Sequence, residues 1–386
     1  MKIGIDCRTM LNPALGERAG VGHYTKELVD HLIPILKKGD ELVLFFDQRM
    51  PDAVLTTYAK HKQVRVKRFP LAKYKKYLPF GYSHVVVAQA LAREKLDVFH
   101  APAYIIPYQY KGKSVVTIHD LAIYAHPEWF PSKQKFSTDV LVPRSIKKSE
   151  RVIAVSQATA RSVLKQFRVL ASGVVTIYEG VNTQPKIFAA TAKRILEEKS
   201  IGKKYLLFIG TIEPRKNIDQ LIKAFDQAMH TLGESGDDVQ LVLAGGKGWN
   251  HEGIFRTIAN ADYSTRVRYV GYISDEEKTA LLKNAMLFVF PSLWEGFGLP
   301  VLEAQAAGIP VITSNVSSLP EVGGRAAVYC DPKSVTSLSK ALVSVIRSKA
   351  KRTAMSAAGK KHAATFSWTR CAKETYQVYK ELYAQE

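Results

Sequence analysis

Glu295 and Glu303 stand eight positions apart in Pro291-Ser-Leu-Trp-Glu-Gly-Phe-Gly-Leu-Pro-Val-Leu-Glu303, directly after the apolar run Ala285-Met-Leu-Phe-Val-Phe290. A strand followed by a glycine-containing turn and a helix brings backbone amides to a helix N-terminus, where phosphate and sugar oxygens bind. Eight residues make close to two helical turns, so both carboxylates are expected to face one ligand. A single Glu in a first helical turn is ordinarily solvated or complements the helix dipole. A second candidate is Gly210-Thr-Ile-Glu-Pro-Arg215-Lys216-Asn217, also after an apolar run. Arg grips two oxygens while Lys adds a point charge, which together suit a diphosphate. An Arg-Lys pair in a loop is otherwise surface.

Three further strings carry weaker chemistry. Thr117-Ile-His119-Asp120 ends a strand-like run, but adjacent strand residues point apart, so His119 and Asp120 form no triad. There is no Gly-x-Ser-x-Gly elbow beside them. Gly20-Val-Gly22 opens a helical pattern without the third glycine of a dinucleotide fingerprint, which argues against an oxidoreductase. Ala244-Gly245-Gly-Lys-Gly-Trp249 is a glycine-rich turn after a strand, a pattern that turns adopt for backbone reasons alone. Asp, Glu and His show no metal-ligand spacing, so no metal or other cofactor is expected.

The elements that hold these strings alternate between short β-rich runs and helical patterns. Lys2–Asp6, Leu42–Phe46, Val98–His100, Ser114–His119, Arg151–Ser156 and Val174–Tyr178 make one series. Tyr205–Gly210, Gln240–Ala244, Val267–Gly271, the run before Pro291 and Pro310–Thr313 make a second. Alternation of this kind predicts parallel sheets with helices on both faces. The expected fold class is α/β with two Rossmann-like doubly wound domains, residues 1–185 and 186–365. Trp368–Tyr383 carries Ala372, Tyr376, Tyr379 and Tyr383 at helical spacing, so residues 366–386 are expected to hold an amphipathic helix.

Composition sets limits. At 386 residues the chain exceeds one ordinary core and suits about two domains. With 46% hydrophobic and 23% charged residues it reads as globular, and no run approaches the ~18 apolar residues of a membrane span. Asp6 within the first apolar run argues against a signal peptide, so a cytoplasmic location is expected. The three cysteines, Cys7, Cys330 and Cys371, lie far apart and are expected to be buried thiols. A net charge of +20 favours anionic partners, and residues 1–180 hold 28 Lys or Arg against 15 Asp or Glu, so the first half carries most of that field.

From Gly210 through Glu295 and Glu303 to Ala304-Gln-Ala-Ala-Gly308-Ile-Pro310 and Leu319-Pro-Glu-Val322, the chain resembles retaining glycosyltransferases of family 4, mannosyltransferases among them. The resemblance is strongest over residues 205–325. It implies the GT-B fold, with two domains facing a cleft, residues 1–185 binding the acceptor, residues 186–365 binding the nucleotide sugar, and the last helix crossing back to the first domain. By the same resemblance Arg215 and Lys216 hold the donor diphosphate, Glu295 the donor-sugar hydroxyls and Glu303 the ribose. His119 lies beside the sugar and contacts it rather than abstracting a proton, and Gly22 offers an amide to the diphosphate. Gly210, Gly245, Phe297, Gly298 and Leu299 line the donor site. The implied reaction moves a hexose, with mannose from GDP-mannose the first choice, to a glycan or lipid-linked acceptor with retention at the anomeric carbon. Glu179 stands where many relatives have Asn.

Residues 60–76 hold eight Lys or Arg and no acid, with Phe69 and Tyr74 between them. Lys67, Arg68, Lys73, Lys75 and Lys76 are candidates for an anionic membrane surface on the inner face or for the acceptor; a solvated basic face is the plain alternative. No nucleic-acid motif accompanies them, so no nucleic-acid partner is expected. Two other functions remain open: a basic binding protein on a degenerate transferase fold, and a GT-B nucleotide-sugar epimerase, which requires cleft acids and bases that the sequence does not offer.

Overall fold

Strands buried on both faces read as continuous apolar runs, and the second strand, Glu41-Leu-Val-Leu-Phe-Phe46, is buried from Leu42 onward. In the computed structural model, which describes residues 1–10, 20–69, 85–130, 137–183 and 185–385, such runs form two all-parallel sheets. The first holds β1 (Lys2–Asp6), β2 (Glu41–Phe46), β3 (Val64–Arg68), β4 (Val98–Ala101), β5 (Ser114–Ile118), β6 (Arg151–Ala154) and β7 (Val174–Thr176), in the spatial order β3-β2-β1-β4-β5-β6-β7. The second holds β8 (Lys204–Ile209), β9 (Val239–Ala244), β10 (Val267–Gly271), β11 (Leu287–Phe290), β12 (Val311–Ser314) and β13 (Ala327–Cys330), in the order β10-β9-β8-β11-β12-β13. Every strand pair in both sheets is parallel. The fold is therefore two doubly wound α/β units, as the alternation predicts.

The chain forms one compact unit from Met1–Tyr124, Ser132–Gly180 and Ser367–Glu386, and another from Ala125–Pro131 and Val181–Phe366. Two strands escaped the sequence reading. β13, Ala-Val-Tyr-Cys, is four residues long and only its Cys330 is buried, so its short run does not stand out in the sequence. β3 lies inside the basic stretch and reads as charge.

The helix Trp368–Tyr383 completes the first unit. Ser367 caps it by accepting from the Arg370 amide, and it packs on the helix Val21–Leu32 and on β4. Tyr376, Tyr379 and Ala372 are buried there, whereas Tyr383 is exposed and Trp368 and Cys371 are buried instead. The Tyr379 hydroxyl bonds Nδ1 of His100 at 2.6 Å, and His100 Nε2 meets Thr117 Oγ1 at 2.8 Å. Burial, with repulsion from His119 added, pushes His100 down to about 3, so it is held neutral. Where the chain leaves the unit, Gly180 presses on the start of this helix: a Cβ there would lie 2.1 Å from the Trp368 amide nitrogen. That closeness demands glycine.

Candidate donor site

In an open parallel sheet, ligands bind outside the carboxyl ends of the strands where the winding reverses. In the second sheet that point lies between β8 and β11, from which the later strands run outward in opposite directions. Arg215 and Lys216 follow β8, and Glu295 follows β11. The structure brings these three together.

Lys216 Nζ donates to Glu295 Oε1 at 2.6 Å, and Arg215 lies 3.3 Å from the other carboxylate oxygen. Arg215 also donates to the Trp294 carbonyl at 2.8 Å and to Glu213 Oε1 through Nε at 3.1 Å. Glu213, Lys216 and Glu295 are buried and Arg215 is partly so, so two cations and two carboxylates share one largely buried cluster. Burial raises the Glu295 carboxyl, but Lys216 and then Arg215 outweigh it and hold its pKa below the usual carboxylate value. Burial lowers the Lys216 ammonium; Glu295 pulls the other way and Arg215 adds repulsion. Glu213 is raised by burial against the pull of Arg215 and Lys216. The arrangement keeps Glu295 ionised next to fixed cations.

Backbone geometry supports the cluster. Asn217 takes a left-handed conformation with φ 62° and donates to the carbonyls of Pro291 at 3.0 Å and Pro332 at 2.7 Å. The loop after β8 is thereby tied to the one after β11. Ser318 Oγ donates to the carbonyls of Glu295 and Phe297 at 3.0 and 2.6 Å, and Ser317 Oγ accepts from the Glu295 amide. Gly245 follows β9 with φ 143°, and a Cβ there would lie 1.9 Å from the Gly210 carbonyl oxygen. Gly210 and Gly245 therefore pack backbone against backbone at the ends of neighbouring strands. His126, stacked on Trp129 at 3.9 Å, meets the edge of Trp294 beside the cluster. No spacing in the sequence announced this aromatic group, or the second acid Glu213.

The paired-glutamate expectation needs correction. The helix after β11 spans Leu299–Ala307 with Gly298 at its N-cap, so Glu295 sits in the preceding loop and the two-turn spacing does not apply. Glu303, a little over one turn into the helix, pairs with Lys278. Phe297 is buried, and Leu299 starts the helix whose first-turn amides Gly298 leaves without a side-chain cap.

In the first unit, Gly22 lies in the first turn of the helix Val21–Leu32. His119 follows β5 and is buried, with Nε2 at 2.8 Å from the Pro102 carbonyl and Nδ1 at 3.3 Å from Glu179. Lys67 and Arg68 belong to β3, where Lys67 pairs with Glu94 and Arg68 with Asp52, while Arg65 pairs with Glu41 and Glu94. They hold the sheet edge rather than stand as free cations; β3 pairs with β2, and Glu94 follows the helix Val87–Arg93. Lys73, Lys75 and Lys76 lie outside the described residues.

Two family matches cover this architecture: residues 18–185 match Glycosyltransferase Family 4 and residues 191–362 match Glycosyl transferases group 1. The chain belongs to the family 4 glycosyltransferases. This glycosyltransferase is 29% identical over 371 residues to O-antigen chain mannosyltransferase B of Escherichia coli, which covers 94% of this chain and 96% of that one. It is 30% identical over 289 residues to the serotype-specific mannosyltransferase WbdA of Escherichia coli, spanning 73% of this chain and 34% of that longer protein. HepE from Anabaena, solved with UDP and glucose, shares the fold at a TM-score of 0.72 and 18% identity, covering 99% of this glycosyltransferase and 100% of that chain. Among the described residues, no helix is long and apolar enough to cross a membrane.

Proposed function

We propose that this glycosyltransferase moves mannose from GDP-mannose to a glycan or lipid-linked acceptor with retention at the anomeric carbon. The convergence of Arg215, Lys216 and Glu295 at the switch point of the second sheet carries the reading. The two mannosyltransferase relatives support the choice of sugar. Arg215 and Lys216 take the diphosphate, and Glu295, which occupies them while no donor is bound, is released toward the sugar hydroxyls. His119 meets the sugar, Gly22 offers an amide to the diphosphate, and Glu303 takes the ribose by exchanging Lys278. Gly210, Gly245, Phe297, Gly298 and Leu299 border the nucleotide. Fixed cations and helix amides neutralise the departing diphosphate without a metal, so turnover is expected to survive EDTA. Retention commonly uses a carboxylate nucleophile; here the leaving phosphate oxygen receives the acceptor proton on the same face.

A thermal-shift screen of GDP, UDP and ADP with their sugars tests the donor, because a ligand of the folded state stabilises it by mass action. A selective GDP or GDP-mannose shift is expected, and a UDP-selective shift would replace mannose and guanine together. Proton NMR of the product reads the anomeric configuration, and an inverted linkage would end the retaining mechanism. We also place the acceptor side on an anionic membrane surface through the lysines beyond β3. Equal sedimentation with anionic and neutral liposomes would remove that part.

A further inference from the structure

Glu179 is a carboxylate with 5% of its surface exposed. Among the described residues its ion-pair partner is His119 rather than any Lys or Arg. A buried carboxylate needs a hydrogen-bond donor to remain where it is. His119 sits between two acceptors, the Pro102 carbonyl 2.8 Å from Nε2 and Glu179 Oε1 3.3 Å from Nδ1. A carbonyl oxygen only accepts, so Nε2 carries a proton and donates to Pro102. The contact at Nδ1 then also requires a proton between nitrogen and carboxylate. The ring is further fixed by Tyr24, edge-on at 4.8 Å, and Tyr104 at 5.6 Å, while Thr159 Oγ1 donates to the His119 carbonyl at 3.2 Å. Glu179 is fixed in turn, because its neighbour Gly180 abuts the Trp368 backbone.

We propose that Glu179 is the positioning residue of His119, and that the two act as one unit which sets the ring plane and leaves no nitrogen lone pair free to serve as a general base. This rests on the reading above that His119 meets the donor sugar. The test uses the full chain with His119→Ala, Glu179→Ala, Glu179→Gln and the double Ala variant, reading GDP release from GDP-mannose in the absence of acceptor and GDP affinity by calorimetry.

Glu179→Ala is expected to lower kcat ten- to a hundredfold, with the donor KM and the GDP Kd within threefold of wild type. Glu179→Gln, whose amide donates to Nδ1, is expected to recover most of the loss. The double variant is expected to be no slower than His119→Ala, since a residue that acts only through its partner adds nothing once that partner is gone. Losses that multiply in the double variant, or a kcat for Glu179→Ala within twofold of wild type, would overturn the proposal. Should Glu179→Ala fail to fold, Glu179→Met, which keeps the volume and offers Nδ1 no hydrogen-bonding partner, takes its place in the same cycle and is judged by the same criterion. If the wild type turns over no nucleotide sugar, the transferase reading fails on its own. The positioning claim is then judged by the imidazole ¹⁵N spectrum: Glu179→Gln must move the His119 Nδ1 resonance, and an unmoved resonance overturns the claim.

Discussion

Glu295 carries more than one duty, and its removal separates them. Glu295→Ala removes the carboxylate that buried Lys216 shares with Arg215, and breaking a buried pair by deleting one partner costs about 3 kcal/mol or more. We expect a clear fall in Tm and at least a hundredfold loss in turnover, with GDP affinity changed only a few-fold, as measured by calorimetry beside steady-state kinetics. Equal losses in both would remove the assignment of Glu295 to the sugar. The stability part is pH-dependent with a definite sign. The folded carboxyl titrates below its ordinary value of 4.5, so its contribution is complete above that pH and disappears as pH falls through the folded value. The Tm gap between wild type and Glu295→Gln should therefore narrow progressively as pH falls below 4.5. Arg215, Lys216 and Glu295 were legible in the sequence because each follows an apolar strand. Glu213 was not, since an acid beside Pro214 looks like any loop residue until a guanidinium folds onto it.

At the scale of elements, His100 joins β4 to the terminal helix. Its pKa is depressed from 6.5 to about 3, so between those values the unfolded chain binds the extra proton and stability falls as pH drops. A urea titration at pH 7 and at pH 5 should show this loss, and His100→Asn should flatten the difference between the two. A similar stability slope in His100→Asn would place the acid sensitivity elsewhere. The sheets themselves were readable from period and run length. β3 was misread because its charged residues look solvated in sequence, and only the fold supplies Glu41, Glu94 and Asp52 as partners. The turn through Gly296 and Gly298 ends where the sequence places it, with the helix starting at Leu299; what fails is the two-turn relation, because Glu295 lies outside the helix that carries Glu303. Burial of the three thiols was foreseen. Burial raises Cys7 and Cys371 and pushes Cys330 up to about 12, so Ellman's reagent should titrate none in the native protein and all three in denaturant.

At the scale of the molecule, the chain leaves the first unit at Gly180 and returns at Ser367. Gly180→Ala, which forces a methyl group against the Trp368 backbone, should lower the unfolding temperature of the first unit selectively and leave the second unchanged in a proteolysis series. A uniform shift would mean that the two units unfold as one. The returning helix has a further meaning for synthesis. Ribosomes deliver residues in order, and domains fold as they emerge. The segment that buries Tyr376 and Tyr379 against the first sheet is translated after the whole of Val181–Phe366. The second unit can thus be complete on the ribosome while the first, begun earlier, still exposes the apolar groove on Val21–Leu32 and β4. During that interval the nascent chain is a natural client for a holding chaperone.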